Sequence, residues 1–335
     1  MGFMETSEQS KNANGGTEIS KSLLENNVNK ELSQHFQVIP SRVRELDENK
    51  IRIYSVHDLS NDPECSHLAD ATSRNRFHKI IFQSDQQLQD FVTKLKIPLD
   101  EKLDVIETPI VPFPSISKVF GEKINLVYFS TPQRGLNIVV PVVAKLAETY
   151  PNIHLDVFSS FAIYGWPDAD KQFEPLYEQI RNHPNMTYHG YTSPEILRTY
   201  LNKAHILAYS CVWPETSCRT LIESMSAGLL CVHSNLGALP DTSGHLTSMY
   251  QYQDDVNIHA RIFFQYLNHA IDNVAKPEIQ NYLKFIKTYA DLRFSIDKVS
   301  KKWEMIMNDL LLKYPTIESR KLPSPNIIFY DTNKV

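Results

Sequence analysis

The sequence predicts an α/β fold built from parallel, doubly wound sheets. In the C-terminal half, short β-branched and aromatic runs alternate with stretches of helical spacing, and the links between them are short. The same alternation recurs more faintly in the N-terminal third. Strand, helix and strand in succession with short links are typical of a parallel sheet. With 335 residues, of which 42 % are hydrophobic and 22 % charged, the chain has room for two domains of roughly 150 residues each.

The C-terminal half has the clearer pattern. Its apolar runs predict strands at 123–130, 153–160, 186–190, 205–210 and 229–233. Helices are expected after Gly135, and after Ser193 and Pro194, which are a typical cap and first-turn pair. A third helix is expected over 217–227, because Gly228 then takes the position of a glycine that ends a helix.

The N-terminal third is predicted to repeat this pattern. Strands are expected at 36–40, 51–56, 78–84 and 103–108, and helices after Gly16, near 66–75 and near 85–95. A first strand should precede Gly15, yet only residues 1–4 are apolar there, so that strand is either very short or missing. The proline-rich segment 110–117 reads as a semi-rigid connector. The predicted organisation is a first domain over 1–118, a second over 119–295, an amphipathic helix over 296–312 and a tail over 313–335.

Composition excludes several function classes. The chain holds 34 basic and 39 acidic residues, a net charge of −5, and it has no basic run, so we expect no nucleic-acid partner. Its four cysteines form no C-x-x-C pair, which favours reduced thiols and no metal site. Residues 1–12 lack the pattern of a signal peptide, and no run reaches the ~18 apolar residues of a membrane span. We therefore expect a cytoplasmic protein that at most touches a membrane peripherally.

The most informative segment is 213–223, which links the predicted strand 205–210 to a helix. Thr216 or Ser217 can cap that helix, whose first N–H groups and dipole then favour an anion. Glu223 lies eight positions after Glu215, about 12 Å along a helix, which matches the separation of the two ends of a nucleotide diphosphate sugar. One carboxylate would then accept hydrogen bonds from sugar hydroxyls and the other from ribose. The alternative is that both are solvated surface charges, as most glutamates are.

The E-x7-E pattern in this setting resembles the retaining glycosyltransferases of family 4, which have the GT-B architecture. The similarity runs through 214–241, including the Ala-Gly before the next strand and the loop Gly237-Ala238-Leu239, and extends more weakly over about residues 12–312. The resemblance implies two Rossmann-like domains facing across a cleft, here with a reduced first domain. It also implies that the helix over 296–312 crosses back to the first domain, with Trp303 as the anchor between the two.

The resemblance implies several donor-binding residues in the second domain. Arg134 precedes Gly135 after the first strand, as does the family's basic residue that reaches the donor diphosphate. Where the family usually has a second basic residue, this chain has Phe129, so Ser130 and Thr131 could supply hydroxyls instead. Further donor contacts are expected at the ends of two other strands, from the following residues: Gly190, Glu215, Thr216, Ser217, Cys218 and Glu223.

In the first domain the resemblance marks two places. The loop with Gly15 and Gly16 matches a glycine pair that faces the donor, although a plain flexible turn would look the same. His57, at the end of the strand 51–56, matches a histidine that contacts the donor sugar. Asp58 could orient the imidazole or touch the acceptor. Arg42 and Arg44 could bind an anionic acceptor, but we interpret them as solvated.

The implied reaction is retaining transfer of a sugar from a nucleotide diphosphate sugar to the hydroxyl of an unknown carbohydrate, lipid or protein acceptor. The catalytic residues would be His57, Arg134 and Glu215. No metal and no further cofactor are expected; the Asp168-Ala169-Asp170 triplet has the letters of a metal motif but lies in a polar loop and reads as solvated surface. The alternatives are a GT-B nucleotide-sugar epimerase or phosphorylase, and a non-catalytic module that binds sugar nucleotides.

Overall fold

The computed structural model describes residues 13–115 and 118–322, which divide into two compact units. Unit 1 is Met1–Ile110 with Arg293–Val335, and unit 2 is Val111–Leu292. The division between them falls at residue 110, where the sequence pattern predicted 118, and the chain enters unit 1 again at residue 293. The uncertain first strand of the sequence prediction, at residues 1–4, lies outside the described residues.

Unit 1 is a parallel α/β unit. The part of it that is described contains a four-stranded sheet in the order β1-β2-β3-β4, all parallel. Its elements are α1 (Gly16–Asn27), α2 (Lys30–Ser33), β1 (Phe36–Pro40), β2 (Ile51–Ser55), α3 (Ala71–Arg74), β3 (Lys79–Phe82), α4 (Asp85–Lys94) and β4 (Leu103–Val105). Short 3-10 turns add Pro63–Ala69 and Glu318–Arg320. The strand predictions are confirmed, with β1 matched at both ends and the other strands shifted by at most three residues at either end.

Two apolar layers cover the sheet of unit 1, one on each face. One layer joins Val38 and Ile53 to Leu24 of α1 and to the last helix, whose Trp303 is buried in it. The other layer joins Tyr54 and Phe82 to α4 and to the segment around residue 65. Successive strand residues therefore point into different layers, which is why the strands are apolar throughout rather than alternating. Trp303 packs inside unit 1 itself.

Unit 2 is the larger α/β unit. Its described part contains a six-stranded parallel sheet in the order β10-β9-β8-β5-β6-β7. The strands are β5 (Ile124–Phe129), β6 (Ile153–Phe158), β7 (Met186–Tyr188), β8 (Ile206–Tyr209), β9 (Leu230–Ser234) and β10 (Ser248–Tyr250). The helices are α5 (Leu136–Ala147), α6 (Glu174–Asn182), α7 (Pro194–Leu201), α8 (Arg219–Ser226), α9 (Leu239–Ser243), α10 (Val256–Asn273) and α11 (Pro277–Phe294). The last helix of the described chain, α12 (Ile296–Lys313), lies in unit 1.

The five strands predicted for this half are confirmed, and so is the cap of α7, where the Ser193 hydroxyl accepts from the Ile196 N–H. The sequence pattern predicted no element for α6, α9, α10, α11 or β10. These helices carry polar residues on much of their surface, so their apolar faces stand out less. The order of the sheet places β5 between β6 and β8, so the loops after these three strands meet at one edge.

The four cysteines are free thiols, and all are buried: Cys65, Cys211, Cys218 and Cys231. Burial raises the pKa of the Cys211 thiol to about 12. Within the described residues, no helix combines the length and the apolar character that crossing a membrane requires.

Candidate functional site

The candidate site is an ion pair at the carboxyl edge of the sheet of unit 2. Arg134 ends a short turn, Pro132–Arg134, that follows β5, and Glu215 lies in the loop after β8. Nη1 of Arg134 contacts Oε1 of Glu215, and the two side chains are only 22 % and 5 % exposed. The structure thus brings together the two residues that the sequence predicted as catalytic in this unit.

A buried tyrosine adds a hydrogen bond to this ion pair. Tyr209, the last residue of β8, donates its hydroxyl to Glu215 Oε1 at 2.6 Å. Burial is the largest single influence and disfavours the charge of Arg134, but the charge and the hydrogen bond of Glu215, together with the neighbouring tyrosines, outweigh it and raise the pKa of the guanidinium above its ordinary value. The arginine therefore keeps its positive charge. The sequence analysis did not single out Tyr209, because a tyrosine that ends a buried strand looks like an ordinary core residue.

Two glycines allow the loops of the pair to approach closely. Gly135 has φ +115°, and a Cβ there would lie 2.5 Å from the carbonyl oxygen of Ser210. Gly237 has φ +61°, and a Cβ there would lie 2.5 Å from the backbone nitrogen of Glu215. The Ala238 N–H donates to the Glu215 carbonyl at 2.8 Å, so the loop after β9 holds the Glu215 loop directly. Only glycine fits this backbone at both positions.

The loop after β5 carries polar atoms that are buried without hydrogen bonds to other described residues. They are Thr131 Oγ1, Gln133 Oε1 and Arg134 Nε, and Ser159 Oγ after β6 is a fourth. Buried polar atoms in proteins are normally paired, so a cluster of unpaired ones requires an explanation. The hydroxyls of Thr131 and Ser159 and the charged guanidinium of Arg134 are donors that fit the oxygens of a phosphate group, whereas Gln133 Oε1 is an acceptor. This arrangement can therefore hold a phosphorylated ligand.

One prediction about the neighbouring helix was wrong. The helix was expected to begin at 217 with Thr216 or Ser217 as its cap, but α8 begins at Arg219, and Cys218 caps it without a side-chain hydrogen bond. The residues from 215 to 218 are not helical, so the estimate of about 12 Å between Glu215 and Glu223 does not apply. The first turn of the helix is instead joined to β5 by a hydrogen bond from the Thr220 hydroxyl to the Phe129 carbonyl, at 2.9 Å.

Glu223 lies in the second turn of α8 and pairs with Arg219, with 3.3 Å between Nη1 and Oε1. Both side chains are mostly buried. Burial lowers the pKa of Arg219 from its ordinary value, while Glu223 opposes that shift. Glu223 is therefore not a freely solvated charge.

Gly190 follows β7 with φ +64°, beside a small cluster of aromatic and polar side chains. Nε2 of His189 lies 2.7 Å from Oδ1 of Asp156, and its ring stacks on Phe158 at 4.3 Å between centroids. This strand end is thus rigidly packed next to the loop after β6.

The loop after β6 contains a residue whose role the sequence did not predict. Asp170 accepts hydrogen bonds from the Ser160 hydroxyl at 2.5 Å, the Phe161 N–H at 2.9 Å and the Tyr177 hydroxyl at 2.9 Å. It was expected to be solvated, and that is wrong, whereas Asp168 is indeed exposed. Asp170 therefore fastens the loop after β6 through three hydrogen bonds.

The remaining predicted residues lie in unit 1. Gly15 caps α1 and Gly16 is its first residue. His57 follows β2, and its Nε2 lies 3.2 Å from the Ser55 hydroxyl. Arg44, expected to be solvated, instead forms two contacts of 3.0 and 3.1 Å with Glu64. Across the described residues of both units, no three histidine, cysteine or acidic side chains come together as metal ligands would.

Comparison with known proteins gives a family match over part of the chain. Residues 123–258 match the model of a family described as glycosyl transferases group 1. The matched segment contains β5 to β10 and both members of the Arg134–Glu215 pair. No curated protein matches the chain.

Several solved structures have a similar fold. A glycosyltransferase from Rickettsia africae is 15 % identical with a TM-score of 0.64, covering 92 % of this chain and 84 % of its own. HepE from Anabaena, solved with UDP and glucose, is 13 % identical with a TM-score of 0.61, covering 87 % and 82 %. The pneumococcal O-GlcNAc transferase GtfA, solved with UDP and GlcNAc, is 10 % identical with a TM-score of 0.62, covering 88 % and 60 %. The chain has the fold of the GT-B glycosyltransferases, as the sequence predicted.

Proposed function

We propose that this protein is a retaining glycosyltransferase that moves a sugar from a nucleotide diphosphate sugar to an acceptor hydroxyl. The observation that carries the proposal is the buried ion pair of Arg134 and Glu215, set among unpaired polar atoms at the strand edge. The match of this segment to the group 1 glycosyl transferases supports it. A uridine nucleotide is the first donor to test, since HepE and GtfA were both solved with UDP.

Each residue has a distinct role in the proposed site. Arg134 and the hydroxyl of Thr131 bind the diphosphate, and Glu215 accepts a hydrogen bond from the transferred sugar. Glu223 accepts from the ribose hydroxyls, and Gly190 lies beside the base. Ser130, Thr216, Ser217 and Cys218 line the donor loops, and Gly15 and Gly16 with His57 serve the donor from unit 1.

The proposed reaction breaks the bond between the anomeric carbon and the diphosphate oxygen. The acceptor hydroxyl forms the new bond to the same carbon, and its proton leaves with the departing diphosphate. Positive charge aimed at the departing oxygens stabilises the negative charge as it develops. The raised pKa of Arg134 keeps that charge in place across the physiological pH range. We propose that transfer needs no metal, so added chelator leaves turnover unchanged.

We place the enzyme in a reducing compartment, the cytoplasm, because its four cysteines are unpaired thiols. The acceptor is a carbohydrate, a lipid or a protein. The proposal includes no nucleic acid, since the net charge is −5.

The deciding experiment has two steps. Thermal shift with a panel of UDP-, GDP- and ADP-sugars identifies the donor, because a ligand that binds the native state raises the apparent stability. Release of nucleotide is then measured with and without an acceptor panel. Release that depends on the acceptor supports transfer. Turnover of the donor without acceptor favours an epimerase or a phosphorylase, and binding without any turnover favours a non-catalytic module.

The ribose role of Glu223 has its own test. Titration calorimetry with the donor nucleotide should give an affinity at least 10-fold weaker for Glu223→Gln, because a hydrogen bond to a charged acceptor is lost. Glu148→Gln is the control, since Glu148 also pairs with a basic residue of its own helix, Lys145, but at an exposed helix end. Equal affinities for the two variants would remove the ribose role.

A further inference from the structure

A chain of buried polar side chains crosses the strand ends of unit 1 and reaches His57. Thr108 follows β4 and its hydroxyl donates to Gln83 Oε1 at 3.5 Å. Gln83, which follows β3, donates from Nε2 to Ser55 Oγ at 3.2 Å. Ser55 ends β2, and its Oγ lies 3.2 Å from His57 Nε2. Thr108, Gln83 and Ser55 are all buried, while His57 is partly exposed.

A second buried glutamine holds the backbone around the same histidine. Gln87, in the first turn of α4, donates from Nε2 to the carbonyl oxygens of Val56 at 3.2 Å and Asp58 at 2.8 Å. These are the residues on either side of His57. The Oε1 of Gln87 accepts from the Gln83 N–H at 2.7 Å. One glutamine therefore acts on the imidazole ring through Ser55, and the other acts on the loop that carries it.

The direction of these hydrogen bonds decides which ring nitrogen of His57 carries the proton. The Ser55 hydroxyl has a single proton to donate, and it already accepts from Gln83. Its oxygen could accept a second hydrogen bond, but His57 Nε2 is the one acceptor that the described residues offer to its proton, so donation to an unprotonated Nε2 is the arrangement that leaves this buried hydroxyl fully paired. A neutral imidazole that accepts at Nε2 has its proton on Nδ1.

We propose that Gln83 and Gln87 are positioning residues that hold His57 as a neutral imidazole protonated on Nδ1. Burying two amide side chains costs free energy unless their hydrogen bonds are made, and an apolar pair would fill the same space more cheaply. Fixed polar networks around one partly exposed group are what a preorganised site requires. The meaning of this tautomer for catalysis rests on the proposed function, in which His57 faces the donor.

The test reads the tautomer itself and does not depend on turnover. The full-length protein is labelled with 15N-histidine, and the signals of His57 are assigned by their loss in His57→Gln. At a pH where the ring is neutral, we expect the wild type to show Nδ1 protonated and Nε2 unprotonated. Gln83→Met should shift the tautomer ratio by about fivefold, as expected for the loss of one net hydrogen bond. Gln89→Met, an exposed glutamine of α4, is the matched control and should shift nothing.

Ser55→Ala provides a second route if Gln83→Met does not fold, since it removes the bridge with a smaller change of volume. It should shift the ratio in the same direction, and Ser55→Thr, which keeps the hydroxyl, should restore it. Two results would overturn the proposal: a wild-type ring protonated on Nε2, or a ratio that stays unchanged in Gln83→Met or Ser55→Ala. Failure of the glycosyltransferase assay would leave this measurement intact, so the two proposals fail separately.

Discussion

The strand ends of the two units carry their polar residues in different ways. In unit 2, Arg134 and Glu215 neutralise each other, and Tyr209 adds a hydrogen bond to the carboxylate. In unit 1, His57 is held by neutral amides and hydroxyls, with no ion pair in the chain from Thr108 to Ser55. An ion pair fixes the polar side chains at the strand ends of unit 2, whereas neutral hydrogen bonds fix those of unit 1.

This difference predicts how strongly each region responds to substitution. Removing one member of a buried ion pair leaves an uncompensated charge, which is costly, whereas removing one neutral hydrogen bond usually costs far less. The effects of single substitutions should therefore decrease from the pair in unit 2 to the polar residues of unit 1.

The largest effect is expected at the ion pair. Arg134→Met and Glu215→Gln should each lower the free energy of unfolding by about 3 kcal/mol, because each leaves one buried charge alone. Turnover in the transferase assay should fall at least 100-fold in both, as for the loss of a group that stabilises developing charge. Chemical denaturation gives the first quantity and initial rates give the second.

The double variant Arg134→Met/Glu215→Gln separates the two effects. With both charges removed, most of the lost stability should return, while turnover stays low. A double variant as unstable as the sum of the singles would contradict the description of this region as one held by charge.

The next effect concerns the glycines that let the loops meet. Gly237→Ala should lower the free energy of unfolding by about 2 kcal/mol or more, because a Cβ there lies 2.5 Å from the backbone of Glu215 and φ is positive. Gly121→Ala is the control, since a Cβ there meets nothing within 4 Å. If both variants melt at the same temperature, the close approach of the two loops is not needed for stability.

Tyr209→Phe should have a smaller effect, since it removes one hydrogen bond to Glu215 and keeps the ring. We expect a loss of about 1.5 kcal/mol in the free energy of unfolding, typical of a hydrogen bond to a charged group. Tyr128→Phe is a useful comparison, because its hydroxyl donates at 2.9 Å to a neutral carbonyl, that of Thr131. A larger loss in Tyr128→Phe would reverse the expected order.

The smallest effect is a pH dependence in unit 1. Burial and the nearby Asp62 raise the pKa of Asp58 to about 6, whereas an unfolded aspartate titrates near about 4. Between those values the folded protein binds more protons than the unfolded one, so stability falls as the pH rises from about 4 to about 6. Asp58→Asn should therefore be about 1 kcal/mol more stable than wild type at pH 7.5 and equal to it at pH 4. Melting curves across this pH range test the prediction, with the exposed Asp309→Asn as control. A difference in stability between Asp58→Asn and Asp309→Asn that stays constant with pH would contradict the raised pKa of Asp58.

The sequence predicted most of the fold because strands buried on both faces are continuous apolar runs. All the strands expected within the described residues formed. The misses have physical causes. β10 is only three residues long, and α10 and α11 have polar residues on much of their surface, so local pattern gives little signal there.

The sequence predicted Arg134 and Glu215 because each follows a strand of one sheet. It did not predict Tyr209 or Asp170, since their hydrogen-bond partners lie in loops or at loop ends, and the course of a loop is not encoded by residue spacing. The start of α8 was also wrong, because Thr216 and Ser217 look like caps in sequence, while the bridge between Glu215 and Gly237 keeps that backbone extended.

The buried thiols allow the transient local unfolding of each unit to be measured. A thiol reacts with an alkylating reagent only as an exposed thiolate, so burial and a raised pKa leave labelling dependent on transient opening. Cys65 lies in unit 1, whereas Cys211, Cys218 and Cys231 lie in unit 2. Mass spectrometry of the labelled peptides would thus time the opening of the two units separately in the unmodified protein, and a donor that binds unit 2 should slow labelling of its three thiols more than that of Cys65.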